Sequence, residues 1–158
     1  MNQQISGNRL QLAQQGDREI VVRRSFLHPP ERVWRALTDP SLIPKWMESI
    51  DPMTGCQMDA RPGGSFRYEW NGEERKFYFS GPVLGAEAPR RLSVIEYFNG
   101  DESSGTHVTT DLTPEATGTR MTIVMRWPSA EARAAAVESG MTDGYGEVYD
   151  KLEALLST

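Results

Sequence analysis

Residues 28–47 read HPPERVWRALTDPSLIPKWM. Two prolines, an amphipathic stretch, a third proline and a short apolar stretch ending in tryptophan follow one another. Pro29-Pro30 can open a helix, because the first helical turn has no use for the missing N–H. Val33, Trp34 and Leu37 then recur at helical spacing and share one face. Asp39-Pro40 ends that helix, since a residue before proline is pushed out of the αR region. A second short helix, over about 41–47, carries Leu42, Ile43, Trp46 and Met47 on its apolar side. A helix broken this early, with a bulky aromatic at its end, suits a chain that bends around a cavity. It places Trp46 at the mouth of that cavity.

On the N-terminal side, REIVVRRSFL (18–27) is rich in Val, Ile and Phe and reads as a strand. Residues 1–17 are polar and Gln-rich and read as a flexible segment ahead of one domain over 18–158, although Leu10 and Leu12 could add a short strand by alternation. On the C-terminal side a meander follows, with strands expected over 55–60, 64–71, 75–86, 91–98, 106–113 and 119–127. Its punctuation is Pro62-Gly63-Gly64, Asn71-Gly72, Ala88-Pro89, Asn99-Gly100-Asp101 and Thr117-Gly118. Asn71-Gly72 suggests a tight hairpin of the primed type. After Trp127-Pro128 the pattern turns helical, with Ser129 as N-cap and Arg133 to Val137 behind it. A last helix is expected over about 142–156, with Met141, Tyr145, Val148, Leu152 and Leu155 as a single apolar stripe. This order predicts an α+β fold: a curved antiparallel sheet with its helices on one face.

The chain has 158 residues and a formal net charge of −5. That length suits one domain with one core. The acidic balance argues against nucleic acid as a partner, since such binding needs a basic face. Arg23-Arg24 and Arg90-Arg91 read as solvated strand ends. The lone Cys56 cannot form an internal disulfide, which points to a reducing, cytoplasmic setting. MNQQISGNRL has no apolar core of a secretory signal, and no run approaches the ~18 residues of a membrane span.

Alternation assigns each strand an inward set. These sets are Phe66, Tyr68 and Trp70; Phe77, Phe79, Gly81 and Val83; Leu92, Val94, Glu96 and Phe98; Val108, Thr110 and Leu112; and Met121, Ile123, Met125 and Trp127. A slip of one residue would instead turn Tyr78 and Tyr97 inward. The inward set is strongly aromatic, with Tyr and Trp tips that want hydrogen-bond partners. Its one carboxylate is Glu96, which is near the rim, paired to an arginine, or a polar anchor for a ligand.

Other chemistry is sparse. His28 precedes Pro29 on a turn expected to be exposed, and His107 alternates outward from Val108. With Cys56 remote in sequence, no metal-ligand spacing appears. A Cys56–His107 pair has no fold cue. Pro62-Gly63-Gly64 lacks the Gly-Lys-Ser/Thr ending of a phosphate loop and opens a strand rather than a helix, so it predicts a tight turn and no ATP hydrolysis. No acid–base pair stands out among Asp59, Glu69, Glu73, Glu74, Asp101 and Glu102.

Five segments together resemble a known superfamily: PPERVWRALTDPSLIPKWM, RPGGSFRYE, FSGPVLGAEAPRRL, TTDLTPEATGTRMTI and GMTDGYGEVYDKLEALL. They look like the SRPBCC (START-like, Bet v 1-like) proteins, in the branch similar to the heat-shock protein 90 ATPase activator homologue. The resemblance implies a helix-grip fold, a curved sheet wrapped around a long C-terminal helix with a hydrophobic cavity between them. It implies binding of a small apolar molecule without metal or organic cofactor. It also leaves open a cyclase- or hydrolase-type activity using Glu96, Tyr68 or Tyr145, or a module that docks a chaperone or a second copy of the chain as a homodimer. Two departures stand out. The chain has no room for the separate chaperone-binding domain of the eukaryotic activators, and the tail's usual Gly-Trp is Gly144-Tyr145. Within the implied cavity the ligand-binding candidates are Trp46, Phe66, Tyr68, Trp70, Phe77, Phe79, Glu96, Thr110, Met125, Trp127, Met141 and Tyr145.

Overall fold

The computed structural model describes residues 10–48 and 51–158. In chain order its elements are β1 Gln11–Gln15, β2 Glu19–Phe26, α1 Pro30–Thr38, α2 Ile43–Met47, β3 Met53–Met58, β4 Ser65–Asn71, β5 Lys76–Glu87, β6 Arg91–Phe98, β7 Asp101–Glu115, β8 Gly118–Arg126, α3 Ala130–Glu138 and α4 Tyr145–Leu156. The strands form one antiparallel sheet in the order β1-β2-β8-β7-β6-β5-β4-β3. Its curved face grips α4, with α1 and α2 closing one end, so the architecture is the helix-grip α+β fold. β1 pairs with β2 from Gln11↔Arg23 to Gln15↔Glu19, so the sheet takes up the part of the N-terminal segment where alternation allowed a strand. Residues 1–9 of that segment lie outside the described residues.

The register aligns the inward sets. Phe66 faces Gly81, Tyr68 faces Phe79, and Trp70 faces Phe77. Phe79 faces Phe98 and Val83 faces Val94. Val108 faces Met125, Thr110 faces Ile123, and Leu112 faces Met121. Each cross-strand row therefore presents its inward residues together to the helix face. A bulge between Val83 and Gly85 bends β5 and shifts the inward position from Gly85 to Ala86, which pairs with Leu92.

The turns correct one expectation. Asn71-Gly72 does not make a primed two-residue hairpin, because β4 ends at Asn71 and β5 begins only at Lys76. The cause is Asp51. It is buried and holds Arg75 at 2.6 Å, and a Cβ on Gly72 would meet its Oδ1 at 2.0 Å. The tight hairpin lies instead at Asn99-Gly100, where φ is 52° and 77°. Because that turn needs only two residues, β7 starts at Asp101, not at 106.

Asp39 ends α1 with extended backbone (ψ 113°), as the following proline requires. Trp46 then turns back, and its Nε1–H donates to the Ala36 carbonyl at 2.9 Å. Only 2% of Trp46 is exposed, and its ring stacks on Tyr149 of α4 at 5.8 Å between centroids. The bulky aromatic is thus a deep pin between the broken helices and α4, not a residue at the mouth of the cavity.

The C-terminal helix also departs from expectation. Met141 and Thr142 precede it, because Gly140 at φ 83° and the weak helix former Gly144 keep the chain in turns until Tyr145. Leu152 and Leu156 are the fully buried leucines, while Leu155 is partly exposed. A straight helix advances 3.6 residues per turn, so Tyr145, Tyr149, Leu152 and Leu156 make the inward stripe. His28 is not on a free turn. Its Nε2 lies 3.0 Å from Glu153 Oε2 and 3.2 Å from Ser157 Oγ on α4. In α3, Ser129 caps as expected, its side chain accepting from the Ala132 N–H at 3.0 Å, but no α3 residue is fully buried. Among the described residues no helix is long and apolar enough to cross a membrane.

Candidate functional site

Sheet and α4 meet closely at only one end. Phe26, Val33, Ala36, Met121, Leu152 and Leu156 belong to the buried cluster there. Toward the N-terminus of α4 the walls separate and enclose a cavity of about 780 Å3. That lies within the usual range for sites taking a small organic molecule. Eleven of the twelve candidates line it: Trp46, Phe66, Tyr68, Trp70, Phe77, Phe79, Glu96, Thr110, Met125, Met141 and Tyr145. Trp127 does not. It is buried in the core cluster, and its backbone N–H donates to the Arg18 carbonyl at 2.9 Å. It lies just beyond Arg126, the last residue of β8, and outside the lining.

One wall is aromatic. Trp70 stacks on Phe77 at 4.9 Å, Phe79 meets Phe77 edge-on at 6.1 Å, and Phe98 lies 5.4 Å from Phe79. Such offset and edge contacts are the favoured ring geometries. Phe98 is 45% exposed, so this wall reaches the opening. Around the opening stand Asp51, Glu74, Arg75, Lys76, Asn99, Ser139 and Gly140, from the ends of β4, β5 and β6 and the turn before α4.

Glu96 faces the cavity, as the inward register predicts. No arginine or lysine reaches it among the described ion pairs, which removes the paired alternative. Burial disfavours the charged form and pushes its carboxyl up to about 7. Tyr68, Tyr145 and Tyr149 lie within its field. Each phenol is raised above its ordinary value, first by burial and further by the neighbouring negative charge. They stay neutral at physiological pH and serve as hydrogen-bonding groups, not as bases. The Tyr145 hydroxyl has only a weak partner, Met125 Sδ at 3.5 Å.

Tyr149 is the lining residue that sequence reasoning missed. The signal was present: it lies four residues after Tyr145, on the same face of a 3.6-residue helix. Val148 and Tyr149 both line the cavity, so the wall is wider than a one-residue stripe.

Cys56 and His107 cannot act together. β3 and β7 are four strands apart in the sheet, roughly 19 Å at the usual strand spacing. His107 is exposed and bonds Ser93 Oγ at 3.0 Å, while burial pushes the Cys56 thiol up to about 11, against nucleophilic use. Gly63, at φ 84°, makes Pro62-Gly63-Gly64 a turn into β4. Among the described residues no three His, Cys, Asp or Glu side chains cluster in a way that could hold a metal.

Comparison with known proteins agrees with this geometry. A family described as Activator of Hsp90 ATPase homolog 1-like protein matches residues 27–157. The crystal structure of a Rhodobacter sphaeroides protein shares 34% identity, covers 94% of this chain and 98% of its own, and superposes with a TM-score of 0.88. A Nitrosomonas europaea protein shares 28% identity over 92% of this chain and 97% of its own, with a TM-score of 0.79. An Arthrobacter aurescens protein shares 26% identity over 93% and 91%, with a TM-score of 0.83. No curated protein matches the chain.

Proposed function

The chain belongs to the Activator of Hsp90 ATPase homolog 1-like family of the SRPBCC superfamily, and from that premise we propose that it binds a small hydrophobic or amphipathic molecule between its sheet and α4. The observation that carries this reading is the cavity of about 780 Å3, walled by aromatic rings and holding the buried carboxyl of Glu96. An apolar wall supplies affinity by desolvation, and a few convergent polar groups set orientation. Glu96 and the hydroxyls of Tyr68, Tyr145 and Tyr149 are those groups here. The lone thiol accords with a cytoplasmic setting.

Native mass spectrometry of protein purified from its own host tests the proposal. The expected result is a retained small molecule in stoichiometric amount. A saturable apolar fluorescent probe should also bind and quench emission from Trp46 and Trp70. Protein that carries nothing and binds no probe would overturn it.

One observation favours a second reading, catalysis on such a molecule. A carboxyl near 7 can both donate and accept a proton at working pH, and neutral tyrosines can stabilise a developing oxyanion. Conversion of the retained molecule by the native protein but not by Glu96→Gln would establish it. Docking of a chaperone or of a second copy of the chain stands behind both readings, since the cavity is concave and unfilled by side chains.

A further inference from the structure

The ligand reading can be taken one step further, to the chemistry of the ligand's head, and this step rests on it. Glu96 lies on β6 between Val94 and Phe98 on the inward face. The register that pairs Phe79 with Phe98 and Val83 with Val94 puts Gly81 opposite Glu96. A side chain cannot be added there, because a Cβ on Gly81 would meet the Ile95 carbonyl oxygen at 1.8 Å. Gly81 therefore adds no side chain beside the carboxyl, and the Ile95 carbonyl and the Phe66 ring edge, 3.6 Å from where a Cβ would sit, lie next to it.

Nothing basic serves this carboxyl. The basic residues lining the cavity are Arg75 and Lys76, both at the β4–β5 turn. Lys76 is five residues along β5 from Gly81, roughly 17 Å at the usual rise. Arg75 is already held by Asp51 at 2.6 Å. The other polar groups around Glu96 are the phenol oxygens and the hydroxyl of Thr106, its buried cross-strand partner on β7, all of which can accept as well as donate. Between Glu96 and the opening lie only ring faces. The Tyr68–Phe79–Phe98 row is one inward step away, about 7 Å, and the Trp70–Phe77 row two steps, about 14 Å. A carboxylate without a cation, flanked by aromatic faces, complements a positive charge and opposes a negative one.

We propose that the cavity takes an amphiphilic amine about 10–14 Å long, whose ammonium head pairs with Glu96 and whose aryl or alkyl tail lies against Phe79, Phe98, Trp70 and Phe77. The head sits in the cavity beside Glu96, where Tyr68, Tyr145 and Tyr149 also line the wall and supply its remaining acceptors. Binding carries a proton signature. The ammonium stabilises the ionised carboxyl, so a proton is released on binding wherever Glu96 starts protonated. The other titratable groups facing Glu96 are the three tyrosines, which stay neutral throughout; Cys56 lies beyond Tyr68, and Asp51, Glu74, Arg75 and Lys76 stand at the opening.

The test uses three probes of one shape: 1-naphthylmethylamine, 1-naphthylmethanol and 1-naphthylacetate, titrated by calorimetry into the full chain. At pH 8.5 the amine should bind at least about tenfold tighter than the alcohol, and the carboxylate weakest. Between pH 8.5 and 5.5 amine affinity should fall about tenfold or more, with proton release that scales with buffer ionisation heat, while alcohol affinity stays flat. Glu96→Gln should bring the amine to the level of the alcohol, with a far-UV circular dichroism spectrum like that of the wild type reporting that the variant is folded. Equal binding of amine and alcohol, an amine preference that survives Glu96→Gln, or a carboxylate that binds best would each overturn the amine proposal while leaving the pocket reading in place. If none of the three binds, the pocket reading falls with it.

Discussion

Leu152 and Tyr145 lie two turns apart on the same helix and meet the same sheet, yet their surroundings are opposites. Leu152 is fully buried among Phe26, Val33, Met121 and Trp46. Tyr145 borders open space and bonds only a thioether. At the first end α1 and α2 stand behind the helix, pinned by Trp46 to the Ala36 carbonyl and to Tyr149. Arg24 adds a tie there: it is only 3% exposed and reaches Asp150 at 2.7 Å. At the second end α4 starts from a glycine-rich turn, and α3 buries no residue. A helix-grip can thus concentrate its stability at one end and leave the other end free for a ligand.

The sharpest test of this contrast is a pair of truncations. Leu152→Ala should cost about 2–5 kcal/mol, because the packed end leaves a void that its neighbours fill poorly. Tyr145→Ala should cost clearly less, since the space beside it is already open, yet it should weaken binding of an apolar probe. Urea denaturation of both variants decides the matter, and equal losses would mean that the two ends are packed alike.

Next in size is the pH dependence of Glu96. Its folded carboxyl, near 7, lies above its ordinary value of about 4.5. A raised folded value gives stability that is complete below the unfolded value and declines as pH rises toward the folded one. Between about pH 4.5 and 7 the decline attributable to Glu96 should be no more than about 3 kcal/mol. Glu96→Gln should remove it, so the variant gains on wild type at pH 8 and not at pH 4. Denaturant titrations at both values, comparing the two proteins, read the difference directly. A Glu96→Gln protein that unfolds at pH 8 would show that the carboxylate is held by a partner after all.

Trp46→Phe keeps most of the ring and removes the donor to Ala36. The buried carbonyl then loses its indole partner, with an expected cost of about 1–2 kcal/mol in denaturant. The effect should appear at the packed end, as faster amide exchange in α1 and α2, and leave probe affinity nearly unchanged.

The smallest effect belongs to the cavity-side hairpin. Asn99 holds φ 52° in its tight turn. Asn99→Ala should cost about 1 kcal/mol or more, since it strains the turn and removes the Oδ1 that accepts from the Tyr78 N–H, while Asn99→Gly relieves the strain but not the lost bond and should fall between the alanine variant and wild type. Thermal unfolding resolves this, and an alanine variant as stable as wild type would show that the turn tolerates rearrangement.

Local periodicity made much of the site legible. Phe66, Tyr68, Trp70, Phe77, Phe79 and Glu96 reach the cavity because strands alternate and each strand keeps its parity. Tyr149 and Leu156 were missed by spacing the stripe at 3.5 instead of 3.6 residues, an error that grows along a helix. The Asn-Gly signals were both real but unequal, since a buried aspartate decides between them and no local rule sees it.

From its sequence alone this protein has a strand, a broken helix pair, a meander with known inward faces and an amphipathic C-terminal helix, and five segments whose order and spacing resemble the superfamily. Those features depend on backbone sterics and on residue periods, which act over a few positions. Only the tertiary structure decides where the grip closes. Trp46 became a buried pin and Trp127 a core residue because residues far apart in sequence meet behind them, while Glu96 stays without a partner because every described arginine is bound elsewhere or too distant. Burial, and with it charge, is set by long-range packing that no short window of sequence contains.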